Sequence, residues 1–120
     1  MKPTNEHDWK AIPFPFEHEK IILNKVLTNK EYNALILGHR PHGMDDRWFV
    51  YCKDSWLYLH RSWTGYCIFK IKLDMIDGKY KLTEALLSRD QDQYRSSSKE
   101  SDIEVINLVI DLVIKVNLRS

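Results

Sequence analysis

The residues of this sequence best equipped for chemistry lie between positions 39 and 65. His60-Arg61-Ser62-Trp63-Thr64-Gly65 sets a guanidinium fork, two hydroxyls and an indole plane side by side. An anionic ligand carrying a base or a sugar needs that set: the fork for phosphate or carboxylate, the ring for stacking. The same residues also have a purely structural use, since Ser, Thr and Gly form turns and a tryptophan beside a turn can plug the end of a core. A turn does not, however, require an adjacent His-Arg pair. Upstream, Asp45-Asp46-Arg47 could give His60 a carboxylate partner for general-base work, or could equally neutralise Arg61. The ion pair is the commoner use of such groups, because carboxylate and guanidinium satisfy one another readily. Arg89-Asp90 can join the same cluster.

Other signals are weaker. His39-Arg40-Pro41-His42 has a histidine separation found in some metal sites, but zinc needs three or four ligands, and Pro41 with Gly43 makes this a loop. Solvated loop histidines and no metal are expected. Cys52 and Cys67 belong to no Cys-x-x-Cys pair and lie in apolar runs, as small buried thiols do in a reducing compartment. A glycine-rich phosphate loop, a nucleophile elbow and a His-Glu-x-x-His helix are all missing from the sequence, and no cofactor is expected.

Composition narrows the classes further. With 120 residues the chain is long enough for one domain with a real core. Eighteen basic against 17 acidic side chains leave a net charge of +1, which excludes bulk attraction to a phosphate backbone or an anionic membrane. At 43% hydrophobic and 29% charged the chain is of ordinary globular type, with four Trp and six Tyr as its excess. The first ten residues have no secretory apolar run and no stretch is long enough to span a bilayer, so a cytoplasmic location is expected.

Stepping along the chain, residues 1–18 read as an extended, proline-rich arm and 19–120 as an α+β body, together a single domain. Glu19 to Leu27 can form a short strand whose pattern is too irregular to fix a face. Thr28-Asn29-Lys30-Glu31 is a capping box opening a helix of about ten residues, stopped by Gly38 and Pro41. Arg47–Cys52 and Trp56–Arg61 around Lys53-Asp54-Ser55 predict a hairpin. Tyr66–Leu73 resumes as a strand with Cys67, Phe69, Ile71 and Leu73 on one side and Lys70 and Lys72 on the other. Asp77-Gly78 turns the chain into a further strand, Tyr80–Ser88. Residues 89–100 form a polar loop. Ser101-Asp102-Ile103-Glu104 then opens a last helix of about 15 residues, where helical period outranks the β-branched composition. The predicted fold is therefore a four- to five-stranded antiparallel meander packed against a C-terminal α-helix, with a short N-terminal helix and the arm covering an edge.

The runs Met44-Asp45-Asp46-Arg47-Trp48-Phe49-Val50-Tyr51 and Trp56-Leu57-Tyr58-Leu59-His60-Arg61-Ser62-Trp63-Thr64-Gly65 resemble the signature of a family of small uncharacterised bacterial proteins. Leu82-Thr83-Glu84-Ala85, Ser88-Arg89-Asp90 and Gln93-Tyr94 are similar to that family's next block. The resemblance implies a bacterial source and one small domain, and it brings no activity with it.

The reading best supported by the sequence is a small intracellular binding or accessory domain. It would recognise an anionic small molecule or an acidic patch on a partner through Arg47, His60, Arg61, Ser62, Trp63, Thr64 and Arg89. The enzyme alternative is a hydrolase or transferase acting on a nucleotide-like substrate, with His60 as general base and Asp45 or Asp46 as its partner. A third alternative is a homodimer built on the apolar face of the last helix.

Overall fold

In the computed structural model, residues 2–43, 45–96 and 98–119 are described; Met44 of the resembling run and Ser97 of the polar loop lie outside them, as do Met1 and Ser120. Two tight turns set the register of the sheet. Asp54 and Ser55, between β2 (Trp48–Lys53) and β3 (Trp56–Arg61), both have positive φ, 53° and 68°. Asp77 and Gly78, between β4 (Cys67–Ile76) and β5 (Lys79–Ser88), do the same at 52° and 76°. Turns of this hand match the twist of the strands they join. Because Lys53 pairs with Trp56 and Ile76 with Lys79, each turn dictates which side chains face which way along its hairpin.

A fifth strand, β1 (His18–Leu27), pairs antiparallel with β5, giving the order β1-β5-β4-β3-β2. The fold is α+β, a five-stranded antiparallel sheet with a C-terminal helix, and β2 to β5 form the meander. The face of β1 was illegible because Ile22 and Val26 point outward, exposed at 76% and 51%, while Ile21 and Leu23 pack on the core.

The edge strands are connected through α1 (Asn29–Leu35), which follows β1 and has seven residues instead of about ten. Its capping box is present: Glu31 N donates to Thr28 Oγ1 at 3.1 Å and Thr28 N to Glu31 Oε1 at 2.9 Å. Gly38, at φ +71°, ends the turn where a Cβ would lie 2.3 Å from the Val50 carbonyl oxygen, so the chain there needs both the glycine backbone and its missing side chain.

The last helix, α2 (Lys99–Arg119), has 21 residues and begins earlier than its sequence signal. Ser98 Oγ, not Ser101, accepts the early amide bond, from Ser101 N at 3.1 Å, because the Asp102 side chain is drawn inward and fully buried. Ile106, Val109, Ile110 and Val113 are buried in one core with Val50, Leu57, Leu59, Phe69, Ile71, Leu82 and Leu87. Helical period did outrank β propensity, since those positions share one stripe.

The opposite face of the sheet carries Phe49, Tyr51, Tyr58 and His60, and the proline-rich arm covers this face instead of an edge. Glu6, Ala11, Ile12, Pro13 and Phe14 share a cavity with Tyr51, Tyr58 and His60. Ile12 N donates to the Gly65 carbonyl at 2.8 Å and Lys53 Nζ lies 2.6 Å from Glu6 Oε1. A bulge corrects the expected alternation in β4. Leu59 pairs with Phe69 but His60 pairs with Cys67, so Ile68 is the extra residue and joins the helix-side core, while Cys67 falls on the side of His60. Both cysteines are free thiols. No helix among the described residues is long and apolar enough to cross a membrane.

The left-handed backbone at Ser55 costs a non-glycine residue about 1 kcal/mol. Ser55→Gly is expected to raise the urea midpoint by the equivalent of about 0.5–1 kcal/mol, with m unchanged. A lower midpoint would contradict the turn geometry.

Candidate functional site

Arg61 ends β3 directly opposite Trp48, the first residue of β2, so pairing alone brings Arg47 and Arg61 to one end of the sheet. The Arg61 guanidinium carbon lies 4.6 Å from the Trp48 ring centre. That stacking holds the side chain extended instead of letting it fold into solvent.

The chain between β3 and β4 forms the next wall. Gly65 N donates to the Arg61 carbonyl at 2.8 Å and Arg61 N to the Tyr66 carbonyl at 2.9 Å. The arm fastens this turn from behind. Trp9 Nε1 donates to the Ser62 carbonyl at 2.9 Å and Lys10 Nζ to the Trp63 carbonyl at 3.4 Å. Gly65 sits at φ +82°, and any Cβ there would come within 2.6 Å of the Lys10 side chain. With its backbone tied on that side, the turn presents Trp63 outward, 65% exposed, so this indole does not plug the core.

The third wall is the loop after β5. Asp92 N bonds Asp90 Oδ1 at 3.0 Å, and the Asp90 carbonyl accepts from Gln93 N and Tyr94 N at 3.0 and 2.9 Å. The Tyr94 hydroxyl donates to Asp102, and its ring meets Phe69 edge-on at 5.7 Å. Burial, and after it the bond to Asp102, pushes the Tyr94 phenol up to about 12.

These walls enclose a cleft of about 670 Å³. Arg47 and Arg61 lie on one side, Trp63, Thr64 and Tyr66 come from the turn, and Asp92, Gln93, Tyr94 and Arg95 come from the loop. Its volume is within the range of pockets that hold one small ligand. Burial lowers the affinity of the Arg61 guanidinium for its proton; Tyr94 opposes the shift and the Arg47 charge adds to it. Among the described residues, no carboxylate lies within ion-pair distance of Arg47 or Arg61.

The carboxylates that the sequence offered to this cluster are held elsewhere. Asp46 does not pair with Arg61: His39 Nε2 lies 2.8 and 2.7 Å from its two oxygens, and His42 N donates to it at 3.1 Å. His39, expected as a solvated loop histidine, is only 6% exposed, and it bridges Val50 through its backbone. Asp45 is exposed, beside a separate depression lined by Asp46, Arg47, Trp48 and Leu112. Arg89 leaves the cluster because two carboxylates neutralise it, Glu19 and Asp102, each at 2.9 Å.

Of the predicted binding residues, Arg47, Arg61, Trp63 and Thr64 line the cleft, whereas His60, Ser62 and Arg89 do not. Ser62 is buried and donates to the Asp46 carbonyl at 2.6 Å. His60 is 1% exposed on the arm side of the sheet, where its ring packs beside Tyr51 and Phe49 at 5.4 and 5.8 Å. A carbonyl only accepts, so His60 Nδ1, 2.8 Å from the Gly65 oxygen, carries the proton, and Nε2 accepts from the Tyr51 hydroxyl at 3.3 Å. Tyr66, Asp92, Gln93, Tyr94 and Arg95 were missed. Tyr66 opens the predicted strand Tyr66–Leu73, but the loop residues sit in a polar stretch without periodicity.

Among the described residues, no group of three or more His, Cys, Asp or Glu side chains could hold a metal ion. No protein-family model, curated protein or solved structure matches this chain.

Burial depresses the His60 ring below the ordinary histidine value of 6.5, with the Gly65 bond partly opposing. The folded form therefore binds its proton less readily than the unfolded chain. The stability this neutral ring contributes is complete above pH 6.5 and is lost as pH falls towards the folded value. Urea unfolding at a series of pH values should show wild type losing stability below pH 6.5 more steeply than His60→Gln; parallel curves would refute the assignment.

Proposed function

We propose that this protein is a binding module for a small organic anion, which it takes in the cleft between Arg47, Arg61 and the Trp63 turn. The observation that carries the reading is the allocation of counter-ions. Arg89 has two carboxylates and Asp46 has its histidine, yet of the three guanidiniums that line the cleft, Arg47, Arg61 and Arg95, none has a carboxylate within ion-pair distance among the described residues. Two neighbouring positive charges, one of them partly buried, repel each other, and an anion between them relieves the repulsion and forms charge-assisted hydrogen bonds to both forks. The anion site is local, so it is compatible with a net charge of only +1. We place the protein in the bacterial cytoplasm on the strength of its sequence resemblance and its free thiols.

The general-base reading has less support. His60 spends both ring nitrogens on Gly65 and Tyr51, and both Asp45 and Asp46 lie outside its hydrogen bonds. A homodimer on α2 would have to use Leu108 and Leu112, exposed at 70% and 40%, since Ile106, Val109, Ile110 and Val113 are already covered.

Calorimetric titration with ribose 5-phosphate tests the reading. Arg61→Ala and Arg47→Ala should each weaken binding roughly 30-fold in Kd, whereas Arg40→Ala outside the cleft should leave it unchanged. Equal affinities for all three folded variants and wild type would remove the assignment.

A further inference from the structure

We infer that the ligand of this cleft is a nucleoside 5′-monophosphate, an inference that rests on the anion-site reading and adds a flat ring to it. Three observations define the ligand. The guanidiniums of Arg47 and Arg61 call for a compact, strongly accepting anion, for which a phosphate offers oxygens to both forks. The same cleft is also lined by three aromatic rings, Trp63, Tyr66 and Tyr94.

Those rings offer faces more than hydrogen bonds. The Tyr94 hydroxyl is committed to Asp102, and its ring is braced on Phe69. Trp63 is held outward by a backbone that Trp9 and Lys10 fasten from behind, and it stays 65% exposed. An exposed indole beside an anion site suits a base that stacks on it, because every base has a π face.

The third observation is a buried acceptor. Gln93 Oε1, on a residue lining the same cleft, has no hydrogen-bond partner among the described residues, although a buried carbonyl oxygen without a donor is costly. Turned toward the cleft, the Gln93 amide would find that donor in a sugar hydroxyl or an exocyclic amino group of the ligand. Inorganic phosphate would leave the rings and Gln93 unused, and a free nucleoside would leave the two arginines unpaired. A nucleoside 5′-monophosphate answers all three. A longer strand would need further basic surface, which a chain with 18 basic and 17 acidic residues does not provide in bulk.

The test is calorimetric titration of adenosine 5′-monophosphate, ribose 5-phosphate and adenosine into wild type, Arg47→Ala and Trp63→Ala, each first shown by circular dichroism to be folded. Wild type should bind the nucleotide about tenfold or more tighter than ribose 5-phosphate, and Trp63→Ala should abolish that advantage while changing ribose 5-phosphate binding less than about twofold. Arg47→Ala should weaken both phosphates and leave adenosine alone. Equal binding of the nucleotide and ribose 5-phosphate to wild type, with Trp63→Ala silent, overturns the nucleotide inference and leaves the anion site standing. Adenosine binding as tightly as its monophosphate, with Arg47→Ala silent, overturns the anion reading and the inference with it. Binding of none of the three at millimolar concentration overturns both.

Discussion

Asp102 is buried to 0% exposure, and its carboxylate gathers a strand end, a loop and a helix at one point. It accepts from Arg89 at the end of β5, from Tyr94 and Ser96 in the following loop, and it sits in the first turn of α2. An ionised carboxylate cannot be taken out of water without such partners, and losing one partner of a buried pair costs about 3–5 kcal/mol. The loop is therefore tied to both the helix and the sheet. Because Tyr94 is one of the donors, the same carboxylate that anchors α2 fixes a wall of the cleft.

That anchoring has an electrostatic consequence. Arg89 is consumed by Asp102 and Glu19, and Asp46 is consumed by His39, which holds the segment before β2 against Val50. Arg47 and Arg61 remain at the sheet end, with Arg61 laid on Trp48 and neither given a counter-ion among the described residues. The arm completes the arrangement from the other side of the sheet by fastening the backbone of the 62–65 turn. The candidate site thus lies where Arg89 and Asp46 have been paired off and Arg47 and Arg61 have not.

Much of the fold was legible because local chemistry and global pattern agree. Thr28 and Glu31 announce α1, Asp77-Gly78 announces a turn, and the stripe from Ile106 to Val113 announces a helix despite its β-branched residues. Legibility failed where one residue served a distant partner. Ser101 and Glu104 looked like a cap because nothing local shows that Asp102 turns inward to Arg89. The Ile68 bulge that sends Cys67 to the face of His60 is equally silent, since it depends on cross-strand register. In the site, Arg47 and Arg61 could be placed together from hairpin pairing, and Trp63 and Thr64 followed from adjacency. His60 and Ser62, next to them in sequence, are turned away by strand alternation and by the Asp46 carbonyl. The loop residues could not be foreseen, because their approach depends on the Asp102 tie.

The claim that counter-ion allocation creates the site is tested most directly by following arginine side-chain Nε–Hε resonances in the labelled full chain while inorganic phosphate is added. The account predicts saturable shifts at Arg47 and Arg61 and a stationary Arg89. Movement of Arg89, or equal drift of every arginine including Arg40, would contradict it.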